Sequence, residues 1–210
     1  REGIAPGLDV SRTVGWFTSL HPVRLPVADD LATSIKAVKE ALRRTSAGGI
    51  GHGVLAHLAG PEARARLAAL PPARITFNYF GQIDAALDSK TALFGPAREG
   101  VGPLRAPGAP LDNWLAIDGQ VQEGALSLRF TFSREQYDRP TVEALAEGVR
   151  AELLAVIEHC AAPDVGGVTP SDFPLARLTQ TVLDRLPAAR DIEDLYPLTP
   201  MQEGMLLHSL

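Results

Sequence analysis

The stretch NWLAIDGQVQEGALSLRFTFS, Asn113–Ser133, decides the fold, because it predicts two β-strands joined by a tight turn. Glu123-Gly124 is the predicted turn, and apolar residues alternate with polar ones beyond it. Alternate residues of a strand point to the same face of a sheet, so these apolar side chains are expected to face inward. They are Leu126, Leu128, Phe130 and Phe132. Asp118-Gly119 competes as the turn, or marks a bulge.

Other strands and helices are predicted on both sides of this hairpin. ARITFNYFGQI, which ends at Ile83, has the composition of a further strand. PTVEALAEGVRAELLAVIEHCA predicts a long amphipathic helix opened by Pro140. A Pro/Gly-rich loop is predicted from Ala85 to Pro110. Val14 to Val27 has the β-branched and aromatic residues of an extended segment. Strands and helices together predict an α/β fold.

A short helix, LARLTQTVLDRL, is predicted further along the chain. It follows the linker-like segment APDVGGVTPSDFP, in which Ser171 or Asp172 is the predicted cap.

An upstream helix, LATSIKAVKEALRRTS, follows a predicted cap at Asp29 or Asp30. Its basic stripe consists of Lys36, Lys39 and Arg43. A solvated face is the favoured interpretation of this stripe, and a docking surface for an acidic partner is the alternative. The glycine-rich Ser46–Gly53 that follows predicts a tight connection between helices. It is a poor phosphate cradle, because no Lys–Ser/Thr pair follows and a helix precedes it.

Charge and cysteine content exclude several classes of function. The net charge of −5 over 210 residues argues against a nucleic-acid binder, which needs a cationic surface. The single Cys160 can form no internal disulfide, which fits a reducing compartment, and one thiol with scattered histidines predicts no metal site. The chain opens without a signal peptide and has no apolar stretch long enough for a membrane. We therefore expect a cytoplasmic protein.

Three segments resemble, in order, motifs of epimerization domains of nonribosomal peptide synthetases. They are RTVGWFT (Arg12–Thr18), GIGHG (Gly49–Gly53) and FNYFGQ (Phe77–Gln82). The opening Arg1-Glu2 looks like the tail of a Glu-Gly-His-Gly-Arg-Glu motif, and YPLTPMQEGMLLHSL resembles the first motif of a condensation domain. The chain departs from the family at three positions. These are Ser46 for the usual Pro, His52 for Tyr and Phe80 for Leu.

The resemblance implies an α+β sandwich similar to chloramphenicol acetyltransferase, with a mixed sheet and flanking helices. In that family the active site lies in a tunnel between two lobes, and this chain corresponds to the C-terminal lobe. The implied domains are a lobe over residues 1–162, an interdomain linker with a short helix over 163–194, and the start of a condensation domain over 195–210. The missing N-terminal lobe and adjacent synthetase domains are implied partners.

The implied reaction removes the α-proton of an aminoacyl or peptidyl thioester and returns it on the other face. The substrate hangs on a phosphopantetheine arm that a peptidyl carrier protein brings, so this chain needs no cofactor of its own. Such a reaction needs positioned acid and base groups and donors for the enolate oxygen. The family's His-His-x-x-x-Asp-Gly motif has no match here, and its glutamate is placed just before Arg1. We therefore assign no catalytic residue, and expect the fragment alone to be inactive.

Three residues are candidates for lining or supporting the site. Arg12 could hold the missing glutamate or a pantetheine phosphate, with a surface or structural ion pair as the alternative. Tyr79 is predicted to line the tunnel, and its neighbour Asn78 to hold main chain. Both can face the tunnel only if the strand bulges there. Trp16 and Phe17 are predicted to be core residues.

Two rival functions remain open from the sequence. The first is a condensation-domain lobe that forms peptide bonds, against which VGWFT argues, since condensation domains usually carry an Asn-containing sequence there. The second is a non-catalytic module that docks carrier proteins or neighbouring domains, which the absent histidine motif favours. An intact histidine motif upstream would indicate an enzyme, and a degraded motif would favour the docking module.

Overall fold

A computed structural model describes residues 7, 9–15, 17–82, 102, 106, 108–111, 113–163, 165–186 and 192–209. The chain divides into two compact units, Arg1–Leu70 with Leu154–Leu210, and Pro71–Leu153. Most of the loop predicted between Ala85 and Pro110, and also Trp16, lie outside the described residues. In the described ranges, no helix combines the length and apolar character that a membrane crossing requires.

The second unit contains a mixed three-stranded sheet. Its strands are β1 (Ile75–Gln82), β2 (Leu115–Gln122) and β3 (Ala125–Phe132), in the order β1-β2-β3. The first pair is parallel and the second is antiparallel. Glu123 and Gly124 both have positive φ, 52° and 73°, as a two-residue type I′ hairpin turn requires. The predicted turn is confirmed, and Asp118-Gly119 lies within β2.

The register of the sheet separates an apolar face from a polar one. Residues directly opposite each other on neighbouring strands share a face. Ile75, Leu115 and Phe132 are opposite one another, as are Phe77, Ile117 and Phe130 two residues further along. On this face Leu115 is buried, whereas Ile75 and Phe77 on the edge strand are more than half exposed. The apolar face therefore lies open along β1.

The first unit is built mainly from helices. The described helices before the sheet are α1 (Leu31–Arg43), α2 (Ile50–His57) and α3 (Pro61–Ala68). Asp30 caps α1, since its carboxylate accepts a hydrogen bond from the Thr33 N–H at 2.8 Å. Pro61 occupies the first turn of α3, where the missing N–H costs nothing. The predicted start of α1 at Asp30 is confirmed.

The helices after the sheet are α4 (Arg139–Ala161), α5 (Gln180–Leu183) and α6 (Pro200–Ser209). Asp138 accepts a hydrogen bond from the Thr141 N–H at 2.9 Å at the start of α4. A 3-10 turn, Pro170–Asp172, precedes α5. The predicted helix LARLTQTVLDRL is shorter than expected, and Thr179 rather than the predicted Ser171 or Asp172 occupies its cap position. Thr169 caps the 3-10 turn.

The expected extended strand from Val14 to Val27 is wrong for the residues that the structure describes there. None of them pairs in a sheet, and Val14 and Val27 are almost fully exposed. Phe17, predicted as core, is 40% exposed. A strand needs a neighbour to satisfy its N–H and C=O groups, and no neighbouring strand lies beside this segment in the described part of the unit.

The basic stripe of α1 also differs from its prediction. Lys36 lies 2.8 Å from Asp184, and Lys39 and Arg43 each lie 2.6 Å from Asp172. The favoured interpretation, a solvated face, is therefore wrong. The stripe does contact acidic groups, but these belong to the same chain and lie about 130 to 150 residues away in sequence.

Candidate functional site

The residues that directly follow RTVGWFT pack against the glycine-rich connection in the first unit. The Ser19 hydroxyl donates a hydrogen bond to the carbonyl oxygen of Gly48 at 2.6 Å. Gly49 is buried with φ of 80°, and a Cβ built on it would lie 1.9 Å from Nδ1 of His21. Only glycine therefore lets the imidazole ring lie this close to the loop. Ser19 and His21, which follow RTVGWFT, thus form one packed element with the glycine-rich connection.

His21 occupies this element as a packed histidine. Its Nδ1 is buried and has no hydrogen-bond partner in the described part of the chain. Among the described residues, no group of three or more His, Cys, Asp or Glu side chains could hold a metal ion. The 3-10 turn Ser46–Gly49 joins α1 to α2, whereas residues 50–53 form the first turn of α2. The predicted connection between helices is therefore confirmed for the first half of the glycine-rich stretch.

Tyr79 and Asn78 lie on opposite faces of β1. The register is regular from Ile75 to Tyr79, and the strand bulges only between Tyr79 and Gln82, where Gly81 has φ of 77°. The bulge therefore comes too late to turn both side chains to one side. Tyr79 is 52% exposed on the apolar face, and its ring lies over Gly119, where a Cβ would come within 3.2 Å of Cδ2.

Asn78 lies on the polar face, directly opposite Asp118 of β2, which is in turn opposite Arg129 of β3. Its side-chain amide makes no hydrogen bond within the described part of the chain, so the predicted contact with main chain is not found there. Asp118 and Arg129 were not among the sequence candidates. The alternation of polar and apolar residues along β2 and β3 could have pointed to both, because Asp118 follows Ile117 and Arg129 precedes Phe130.

Arg12 belongs to a turn in the first unit that the N–H of Thr13 closes on the Val10 carbonyl at 3.0 Å. Its side chain is exposed. Neither a carboxylate nor an aromatic ring of the described residues pairs with it. That this guanidinium holds an anion stays a prediction.

The carboxyl groups with shifted pKa values are structural. Partial burial would raise the pKa of Asp172, but hydrogen bonds from Lys39, the Thr169 N–H and Arg43 hold it well below its usual range. Burial likewise opposes hydrogen bonds from Ser171 and Thr169 at Glu40, and the net pKa is lowered. Carboxylates whose pKa is lowered in this way are weak bases, and both already accept hydrogen bonds within the fold, which favours a structural role.

A groove of about 680 Å³ lies in the first unit, beside the 3-10 turn. Its lining residues are Asp172, Pro174, Leu175, Glu193, Asp194 and Tyr196. Asp172 is already engaged by Lys39 and Arg43, and none of the lining residues belongs to the three epimerization-type motifs. The groove therefore has no part in the candidate site.

Comparison with known proteins decides the family. Residues 1–179 match the family described as the condensation domain. The chain belongs to the condensation-domain family. It is 41% identical over 216 residues to a mycosubtilin synthase polypeptide of Bacillus subtilis, and 42% identical over 218 residues to a linear gramicidin synthase polypeptide of Brevibacillus parabrevis. Each alignment covers all of this chain but only 8% and 4% of the respective relative.

A solved structure agrees with this membership. The epimerization domain from the third module of tyrocidine synthetase B has a TM-score of 0.63 and 38% sequence identity to this chain. The match covers 75% of this chain and 35% of the other. The resemblance to the condensation and epimerization domains of nonribosomal peptide synthetases is thereby confirmed, as is the predicted α/β fold with a mixed sheet and flanking helices. This condensation-family chain is thus part of such a domain.

Proposed function

We propose that this condensation-family chain is the C-terminal lobe of an epimerization domain, which converts the α-carbon of a carrier-bound aminoacyl or peptidyl thioester from L to D. The observation that supports this proposal most strongly is the match to a solved epimerization domain at 38% identity. RTVGWFT adds support, since it resembles the epimerization motif rather than its condensation counterpart. Residues 1–162 form the lobe, 163–194 the linker and 195–210 the start of the next condensation domain.

The chemistry assigns supporting roles to this lobe. Proton removal from one face and return on the other needs two acid/base groups, and the lobe supplies neither the histidine pair nor the glutamate of the family motifs. The lobe instead supplies exposed side chains. Tyr79 presents an exposed phenol ring on the apolar face of the sheet, and Arg12 presents an exposed guanidinium in a turn. The histidine pair comes from the N-terminal lobe, and the glutamate from the motif whose tail is Arg1-Glu2.

The open apolar face fits a lobe that packs against another body. Ile75, Phe77 and Tyr79 are each more than half exposed on β1, whereas the same face is buried at Leu115. Exposed apolar side chains that are contiguous rather than scattered mark an interaction surface. The N-terminal lobe is the proposed partner, and a peptidyl carrier protein brings the substrate on its phosphopantetheine arm.

The test uses the domain extended upstream to include the histidine motif. A carrier protein loaded with an L-aminoacyl thioester labelled with deuterium at Cα is the substrate, and mass spectrometry follows loss of the label to water. We expect label loss with the extended domain and none with residues 1–210 alone. A matched control changes the second histidine of the upstream motif to alanine and is expected to retain the label.

The condensation alternative is tested in the same reaction. A second carrier protein loaded with an amino acid acts as acceptor, and its thioester is analysed for a dipeptide. Dipeptide formation with retained deuterium would contradict the epimerization proposal and support a condensation domain. Retained label without any dipeptide, from an extended domain with intact motif, would instead favour the docking module.

A further inference from the structure

The segment Val168–Asp184 is held on α1 by an unusually complete set of contacts. It lies in the part of the chain predicted as an interdomain linker, and its surroundings, with Gly166, Gly167 and Pro174, have a linker-like composition. Flexible linkers bury few side chains. This one buries Thr169, Phe173 and Leu183 to 3% exposure or less.

Asp172 is the first anchor of the segment. One of its carboxylate oxygens accepts hydrogen bonds from the Lys39 ammonium at 2.6 Å and the Thr169 N–H at 2.8 Å. The other oxygen accepts a hydrogen bond from the Arg43 guanidinium at 2.6 Å. The carboxylate therefore joins α1 to the start of the 3-10 turn with both oxygens engaged.

Glu40 makes the reciprocal contact from α1. Its carboxylate accepts hydrogen bonds from both the N–H and the hydroxyl of Ser171, at 3.1 and 2.5 Å. Ser171 also accepts a hydrogen bond from Arg43 at 3.1 Å. Both α1 and the turn thus supply a carboxylate and hydrogen-bond donors. These paired contacts fix the position of the turn along the helix.

Asp184 is the second anchor, at the far end of the segment. It accepts hydrogen bonds from Lys36 at 2.8 Å and from Gln180 at 2.9 Å. Gln180 also donates to the carbonyl of Val168 at 3.0 Å, which closes the segment on itself. Lys36, Lys39 and Arg43 all lie on one face of α1, so both anchors are set by a single rigid element.

We propose that Val168–Asp184 is a clamped connector, which fixes its exit, the position from which the chain continues beyond Leu186, instead of tethering the later residues loosely. This role is independent of whether the domain epimerizes or condenses. Two anchors at opposite ends of the segment, with Phe173 and Leu183 buried between and beside them, prevent it from swinging about a single point. Whatever follows the connector is then presented at a set position.

Hydrogen exchange of the 210-residue chain tests the clamp. Backbone bonds such as Phe173 N–H to Pro170 and Leu183 N–H to Thr179 should exchange slowly in the parent chain. Neutralising one contact of the first anchor by Lys39→Gln should accelerate their exchange about two- to fivefold, since one partly exposed ion pair is lost. Arg150→Gln, which breaks an ion pair within α4, is the matched control and should leave these amides unchanged.

Two outcomes of that experiment would overturn the proposal. One is exchange of the Phe173 and Leu183 amides at the rate of an unstructured peptide in the parent chain. The other is equal exchange in the parent and the Lys39→Gln variant. Acceleration of the connector without acceleration of α1 itself distinguishes release of the clamp from general unfolding of the variant.

The fixed exit is tested separately by pulsed electron spin resonance. Spin labels are placed on Arg66 of α3 and on Arg185, both exposed in the first unit, in a Cys160→Ser background. One narrow distance distribution is expected in the parent, and a broader one after Lys39→Gln. A broad distribution in the parent would contradict a set exit, even if the hydrogen-exchange result were as expected.

Discussion

Asp172→Ala is expected to destabilise the first unit by about 2–3 kcal/mol. The two cation contacts, with Lys39 and Arg43, are partly exposed and contribute about 0.5–1 kcal/mol each. The bonds from Thr169 at the start of the turn correspond to a helix cap, worth about 1 kcal/mol. The Asp172 side chain is 25% exposed, so these contributions are only partly screened by solvent.

The assay is thermal and urea-induced unfolding of the 210-residue chain, followed by circular dichroism. For a chain of this length the loss corresponds to a decrease in Tm of about 5–10 °C. Glu147→Ala is the control, because Glu147 forms a single ion pair with Arg150 on the exposed surface of α4. If Asp172→Ala lowered Tm no more than Glu147→Ala, the contacts of Asp172 with Lys39, Arg43 and Thr169 would not add up to the expected loss, and the reasoning would be refuted.

The effect of Asp172→Ala should also depend on pH. The folded-state pKa of Asp172 is lowered, so its stabilising contribution is present above the unfolded-state pKa and is lost as pH falls. The gap in unfolding free energy between the parent and the variant should therefore be full near pH 7 and close progressively below about pH 4. A gap that stayed constant down to about pH 2 would show that the carboxylate charge contributes nothing.

Three further substitutions probe other parts of the fold by thermal unfolding. Gly49→Ala should cost about 2–4 kcal/mol, from its positive φ and the clash with His21, whereas Gly51→Ala, with open space around it, should be neutral or stabilising. Glu123→Asn should stabilise the hairpin by about 0.5–1 kcal/mol, because Asn tolerates positive φ better. Phe77→Ser should change Tm little in this chain, where Phe77 is exposed, and should lower Tm clearly in the extended domain. Equal decreases in Tm would contradict the proposal that the N-terminal lobe covers this face of β1.

Local patterns predicted much of the fold correctly. The hairpin was recognisable because alternation over Leu126 to Phe132 and the Glu123-Gly124 turn are both properties of neighbouring residues. The Asp30 cap of α1 is equally local, since its partner is Thr33. The extended prediction for Val14–Val27 failed because β-structure requires a pairing partner, which the composition of one segment does not reveal.

Contacts between distant residues could not be predicted in the same way. Lys39 and Asp172 are 133 residues apart, so the residues next to either one in sequence do not indicate that acidic groups contact the basic stripe. At the candidate site, strand alternation correctly placed Asn78 and Tyr79 on opposite faces. The position of the bulge after Tyr79, and the alignment of Asn78 with Asp118, follow only from the register of the folded sheet.

The most direct test of the proposed function is the configuration of the amino acid after incubation in D₂O. The extended domain, with the upstream histidine motif, is mixed with a carrier protein bearing an unlabelled L-aminoacyl thioester, and the amino acid is released by hydrolysis. We predict a mixture of L and D forms in which the D form carries one solvent deuterium at Cα. Recovery of the L form alone, without deuterium, would contradict the assignment of this lobe to an epimerization domain.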